Sequence, residues 1–455
     1  MAGGKGFSHQ PTKVEKIKTK HRTIKTEIPV PESVEMLKQM YSLEAQAMHG
    51  QLPLVWDKAD NFQIHDPWGN VWLDFTSTIF VANAGHANKR IVKGLKRLLD
   101  KPLLHTYTFA SIERINYLDY LIKNTPKQFE KAFLLSAGTE TTEAALKLMR
   151  LNGQKKGKRK GGIVCFNGAY HGRTMGAQLM TGNQSQKEWV GYQDPNIHHI
   201  NFPYPWEVKS PEDFFNNEIE QLLKEKGLDA NKDLCGFMLE TFQGWGAVFY
   251  PVDFVKALMA FSKKHDMLVT FDEMQAGFGR TGKLFGYEHY SVEPDILCCG
   301  KGASSGLPLA ILLGSKEIMD LPGVGSMSST HSANPLVCVA GHENLKAMIE
   351  DGLISNSKNL GDLFHLRLND IKSKYPKHLK YVYGKGLLAA LIFIDENNNP
   401  LSSLCDIISE KAFQKGLLVV HTGRESIKLA PPLSITKEAL LEGLEVIEEC
   451  IKESI

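Results

Sequence analysis

At 455 residues, with 42% hydrophobic and 23% charged side chains, the chain has the makeup of a globular protein built of two packed parts. A formal net charge of +2 sets up no field that points to nucleic acid or to a membrane surface. Seven cysteines, an odd number among apolar neighbours, argue against a disulfide framework and for a reducing, cytoplasmic setting; no Cys/His cluster suggests a metal, no apolar run could span a bilayer, and no secretion signal is evident.

Residues 1–34 are basic, poor in large apolar side chains and end in prolines. They read as a solvated N-terminal arm lying on the body or on a partner subunit. Residues 35–85 read as a segment that joins the smaller domain, with a hairpin in "FQIHDPWGNVWLDF" about a Pro-Trp-Gly-Asn turn. A helix follows near Ile91–Leu99.

Residues 86–340 alternate strands with helices from about Lys131. "KAFLLS", "GGIVCFNG", "LCGFMLET", "MLVTFDEM", "PDILCCG" and "LAILLG" are short apolar strands. "TETTEAALKLMRLN", with Thr139 ahead of Glu140 and Glu143, carries a helix-start signal, and "PVDFVKALMAFSKKHD" is a second helix. The alternation predicts an α/β fold with a mostly parallel sheet covered on both faces. The basic run Lys155–Lys160 falls between a helix and a strand and reads as a solvated turn rather than a phosphate patch. Residues 341–455 put helices before a few strands, the pattern of a smaller α+β domain.

"GFGRTG", Gly277–Gly282, spells G-x-G-x-x-G after a strand. A dinucleotide turn must open a helix whose N-terminus receives the pyrophosphate. The aromatics, glycine and proline of "KLFGYEHYSVEPD" oppose such a helix, so a nicotinamide dehydrogenase is disfavoured. The residues before the glycines carry more chemistry. Asp272 closes one predicted strand and Lys301 follows another, at the carboxyl edge where open α/β sheets bind ligands. A buried carboxylate needs a cationic partner, and a protonated ring nitrogen serves. A lysine among apolar residues has a lowered pKa suited to amine chemistry. Together they fit pyridoxal 5′-phosphate: lysine for the Schiff base, aspartate for the pyridinium nitrogen. Each residue taken alone also fits a structural role.

Several motifs in order, "LLSAGTETTEAALKLMR", "FNGAYHGRT", "ETFQGWG", "FDEMQAGFGRTGKLF", "PDILCCGKGASSGLPL", "SSTHSANPL" and "IKLAPPLSIT", run from about residue 35 to the end. Through them the chain resembles the class III (ω-type) pyridoxal-phosphate aminotransferases, of the 4-aminobutyrate and ornithine aminotransferase type. The resemblance implies the aspartate-aminotransferase-like fold, PLP-dependent transferase fold type I. It also implies a homodimer, or a tetramer of such dimers, with shared active sites. Lys301 would hold the cofactor covalently and move the substrate proton, and Asp272 would pair with the ring nitrogen. Gln275 would bond the ring oxygen, with Glu240 beside it. Tyr170 would stack on one ring face and Met274 on the other. Gly138 and Thr139 would bind the phosphate, and Thr330 would reach the phosphate of the neighbouring subunit. No metal and no nucleic acid enter this reading.

Arg173 matches an arginine that grips a distal substrate carboxylate in relatives; its planar fork suits that task. Lys428 stands where relatives carry the arginine for the α-carboxylate, and Trp245 replaces the glutamate that neutralises it. With Ile79 and Phe80, Trp245 is expected to narrow the pocket toward a primary amine or ω-amino acid as donor. The acceptor would be a keto acid, 2-oxoglutarate or pyruvate, in a ping-pong transamination. A lyase or epimerase of the same family stays open.

Overall fold

The computed structural model describes residues 7–455; residues 1–6 of the expected arm lie outside them. A seven-stranded sheet forms the centre. Its strands are β1 (Lys131–Leu135), β2 (Gly162–Phe166), β3 (Ile197–Ile200), β4 (Leu234–Glu240), β5 (Leu268–Asp272), β6 (Ile296–Cys299) and β7 (Ala310–Gly314). They lie in the order β1-β7-β6-β5-β4-β2-β3. The central pairs are parallel, and β7 alone runs antiparallel to its neighbours β6 and β1. Every residue of β2, β4, β5, β6 and β7 is buried, as a sheet covered on both faces requires.

Helices cover the two faces through alternate strand residues. Helix α1 (Gly138–Lys155) packs Ala145, Leu148 and Met149 with Met238 and Cys165, while α2 (Val252–Lys264) packs Phe254, Val255 and Leu258 with Phe237 and Leu239. Helix α3 (Pro335–Ile349) leads into the smaller part, which contains α4 (Leu353–Lys374), α5 (Ser402–Gln414) and α6 (Lys437–Lys452). These pack on an antiparallel four-stranded sheet of β8 (Leu379–Gly384), β9 (Ala389–Phe393), β10 (Val420–His421) and β11 (Ser426–Leu429), in the order β8-β9-β11-β10.

Two expectations need correction. The basic stretch before residue 34 is solvated only in its first part: none of residues 7–20 is buried, and from His21 on the chain enters the body. Ile24, Ile28 and Val30 are buried with Ile64 and Trp72, and Thr23–Ile24 pairs with Val71–Asp74 in a six-stranded sheet completed by Leu417–Leu418. Its cations meet acids of α6: Arg22 Nε lies 2.7 Å from Glu442 Oε1. The basic run at 155–160 is the solvated turn expected, with Lys155, Lys156, Arg159 and Lys160 exposed; Lys158 alone is buried, and Arg159 and Lys160 lie on the buried Asp233. Finally, α1 begins at Gly138 rather than beyond Thr139; Ala137 precedes it, and Glu140 Oε2 accepts from the Ser136 and Ala137 amides at 2.8 Å each.

Candidate active site

The parallel register brings three strand ends together. Asp272 lies opposite Glu240 of β4 and Cys298 of β6, and Lys301 follows just past the end of β6. Asp272 is buried, yet both its oxygens are held: Oδ2 by His171 Nδ1 at 2.9 Å, and Oδ1 by the Met274 amide at 3.0 Å. His171 comes from the loop after β2 and is itself buried. Sequence reasoning gave it no chemistry; its only signal was its place in "YHG".

Glu240 is also buried. Its Oε2 accepts from the Tyr170 amide at 3.2 Å and the Gly244 amide at 3.4 Å. Burial, helped by the Asp272 charge, pushes its carboxyl up to about 7. Lys301 is half-buried with φ of 44°, and burial lowers its pKa against the pull of Asp272 and Glu240. Among the described residues, no hydrogen bond or ion pair engages its Nζ.

Met274 packs between two glycines. A Cβ on Gly138 or on Gly300 would stand 2.6 Å from its sulfur, so a side chain at either position would force Met274 to move. Tyr170 stands exposed on the other side of the loop carrying His171, with the Arg173 guanidinium 5.4 Å from its ring centroid. At the start of α1, the amides of Gly138 and Thr139 have no intrahelical acceptor. Thr139 Oγ1 meets Thr174 Oγ1 at 2.6 Å. Thr330 does not join this group within its own chain: it lies on an exposed loop, where its carbonyl meets His105 Nε2 at 2.8 Å.

A second cluster closes the site from the smaller part. Lys428 of β11 is only 5% exposed, donating to Gly244 O at 2.6 Å and to Gln275 Oε1 at 2.9 Å. Its Nζ lies 4.6 Å from the Phe80 ring centroid. Burial pushes the ammonium down to about 7. The adjacent Trp245 is half-buried; its carbonyl accepts from Ser426 Oγ at 2.8 Å, and the Arg424 guanidinium stacks on its ring at 4.0 Å.

Ile79 and Phe80 sit on a left-handed turn. Ser77, Thr78, Ile79 and Phe80 have φ of 46°, 51°, 60° and 69°. None is glycine, so each costs about 1–2 kcal/mol relative to right-handed backbone. What offsets this strain is a fully buried arginine of the glycine motif. Arg280 donates to Ser77 Oγ at 3.0 Å, Asn83 Oδ1 at 2.7 Å, Leu387 O at 2.9 Å and Pro431 O at 2.5 Å. Burial pushes its guanidinium down to about 9. After Gly282 the chain forms only a short 3-10 turn, Gly286–Tyr290, so the glycines open no long helix and the dinucleotide reading falls.

These residues fit pyridoxal phosphate by their chemistry: an unengaged lysine amine, a buried carboxylate held by two donors, and free amides at a helix start for a phosphate. Together, fold and site define a pyridoxal-phosphate enzyme of fold type I. The class-III aminotransferase family model matches residues 45–451. An alanine/serine racemase of Pyrococcus horikoshii is 30% identical, over 99% of this chain and 96% of its own. A 4-aminobutyrate aminotransferase of Escherichia coli is 30% identical, over 89% and 95%. The crystal structure of a transaminase from the marine bacterium Virgibacillus superposes with a TM-score of 0.83 at 25% identity, over 93% of this chain and 99% of that one. The chain belongs to the class III aminotransferases and is a pyridoxal-phosphate-dependent transaminase.

Proposed function

We propose that the enzyme transfers the amino group of a primary amine or ω-amino acid to 2-oxoglutarate or pyruvate, by a ping-pong mechanism. The observation that carries the site assignment is Asp272 at a strand end with His171 behind it and Lys301 past the neighbouring strand. Lys301 would hold the cofactor through a Schiff base, Asp272 would face its ring nitrogen, and Tyr170 and Met274 would flank the ring. Gly138 and Thr139 would bind its phosphate, and Gln275 and Glu240 would border the ring oxygen. Bound pyridoxal phosphate supplies an aldehyde that takes up the amino group and a ring that accepts the electron pair left when the substrate loses a proton.

The chain's own residues do the rest. Lys301, once freed as an amine, would take the proton from the amine-bearing carbon and deliver it to the carbon on the other side of the transferred nitrogen; burial lowers its pKa, which favours the amine form this needs. Asp272, oriented by His171 and the Met274 amide, would face the ring nitrogen with its carboxylate held in place. Phe80, Trp245 and Ile79 narrow the entrance around Lys428. Arg173, exposed with its guanidinium 5.4 Å from the Tyr170 ring centroid, is an arginine available to a substrate carboxylate, whereas Arg424 is paired with Glu425 at 2.8 Å.

A homodimer is the proposed assembly, with Thr330 serving the neighbouring subunit's cofactor. Supporting it, Leu104, Phe109, Ile112 and Ile115 are exposed on one stretch whose His105 is bonded to the Thr330 carbonyl. Seven buried, unpaired cysteines support a reducing cytoplasmic location. No helix among the described residues is long and apolar enough to cross a membrane.

A panel of amines, ω-amino acids and α-amino acids offered with each keto acid tests the donor class. Stoichiometric amination of the keto acid, fastest with donors lacking a carboxylate on the reacting carbon, is expected. A second reading, racemisation of an amino acid, rests on the similarity to the Pyrococcus protein. It requires that one enantiomer of alanine or serine yield the other with no keto acid present.

A further inference from the structure

Lys428 occupies the place where an arginine would clamp a substrate carboxylate, but its ammonium is already engaged. An ammonium has three donors and no acceptor. One goes to Gly244 O at 2.6 Å and one to Gln275 Oε1 at 2.9 Å, while the third side is met by the Phe80 ring 4.6 Å away. At 5% exposure, nothing is left to face a substrate.

The contact with Gln275 has a consequence for that amide. In its protonated form Lys428 is a pure donor that only the amide oxygen can meet, and its donation to Gly244 O holds it there, so Lys428 sets which way the Gln275 side chain is turned. The NH2 end then points the other way. A Cβ on Gly244 would stand 2.5 Å from Gln275 Nε2 and 2.8 Å from Glu240 Oε1, so these two atoms converge on one spot beside the strand end that carries Asp272. Among the described residues no acceptor takes a hydrogen bond from Nε2. The free donor at this spot suits an oxygen anion on the cofactor ring.

We infer that Lys428 is a positioning residue that locks Gln275 with its NH2 group toward the cofactor's ring oxygen, and is not a substrate-carboxylate clamp. The inference rests on the pyridoxal-phosphate site proposed above. It also explains the lysine. A guanidinium carries five donors in a plane, and one carbonyl, one amide oxygen and a ring face would leave several of them buried without acceptors. The left-handed turn belongs to the same device, because it delivers Phe80 to the remaining side of the ammonium.

The test compares holoenzymes of the wild type, Lys428→Met, Gln275→Ala and the double variant. The readouts are the pH midpoint of the cofactor's visible absorption and the KM for the keto acid. Losing a donor to an oxygen anion disfavours the anionic form, so each single variant moves the midpoint upward, by about one unit for a hydrogen bond of ordinary strength. The double variant moves it no further than Gln275→Ala alone. The keto-acid KM of Lys428→Met stays within about threefold, because no substrate contact is lost. Lys428→Leu, which has no donor for Gln275, takes the place of Lys428→Met if that variant does not fold, with the same midpoint shift expected. An unmoved midpoint, additive shifts, or a tenfold rise in KM confined to carboxylate substrates overturns the inference while leaving the cofactor site standing. A wild-type protein that shows no cofactor band overturns both.

Discussion

His171 Nδ1 and Asp272 Oδ2 meet at 2.9 Å, and both side chains are buried. The histidine arrives from the loop after β2 and the aspartate from the end of β5, so the pair fixes the carboxylate from behind. In His171→Ala one buried oxygen loses its donor. A hydrogen bond to a charged group contributes about 1.5–3 kcal/mol, so pyridoxal-phosphate affinity should fall roughly tenfold or more. His171→Asn, which retains a donor, should lose less. Titration of the cofactor-free protein by absorbance measures both; equal affinities in wild type and His171→Ala would remove the histidine from the site.

Met274 lies where Gly138 and Gly300 leave room for its sulfur. Gly138→Ala sets a Cβ 2.6 Å from that atom, and overpacking of this kind costs about 1–3 kcal/mol. The variant should bind cofactor more weakly and unfold at lower temperature. Because Met274 Cγ would be 3.4 Å away, an ordinary contact, shortening the side chain by Met274→Val should restore most of the loss. Additive losses in the double variant would show that the two residues do not conflict.

Arg280 is fully buried and satisfies four acceptors on three segments of chain. Arg280→Met removes the donor from all four; Ser77 Oγ still donates to Ala430 O, while each buried acceptor left unsatisfied costs about 1–3 kcal/mol. Denaturant unfolding should show a loss of at least about 3 kcal/mol, larger than for Arg280→Lys, which keeps some donors. A loss below about 1 kcal/mol would mean that the left-handed turn at residues 77–80 holds itself.

Glu240 supplies a pH dependence with a definite sign. Its folded pKa is raised to about 7 from 4.5, so the cofactor-free folded state keeps a proton that the unfolded state has released. Its contribution is fully present below about 4.5 and is lost as pH rises toward about 7. Glu240→Gln removes this titration while its carbonyl oxygen can still accept from the Tyr170 and Gly244 amides. Relative to wild type, the variant should gain stability between pH 5 and 7 and hold that gain above, by no more than a few kcal/mol. Glu273, raised to about 7 by burial as well, titrates in both proteins and cancels from the difference. Parallel stability curves in urea would contradict the buried, protonated state of Glu240.

Much of the fold was legible because buried parallel strands read as apolar runs, and six of the seven central strands did so. The exception is β3, "IHHI", an edge strand whose two histidines break the run. Asp272 and Lys301 were legible for a related reason: each polar residue ends or follows an apolar strand. The left-handed turn at 77–80 was not, since glycine is the usual marker of positive φ and none is present. Arg280 drew no notice because four acceptors distant in sequence give it its meaning. The N-terminal stretch looked solvated on charge alone; the acids that meet its cations lie some four hundred residues away on α6.

The central claim is that Lys301 carries the cofactor that moves the amino group. The most direct measurement is to load the protein with pyridoxal phosphate, reduce it with borohydride and locate the modified peptide by mass spectrometry. One cofactor per chain on Lys301, with no label and no transamination in Lys301→Ala, is the predicted result. A label on another lysine, or transamination that survives in Lys301→Ala, would contradict it.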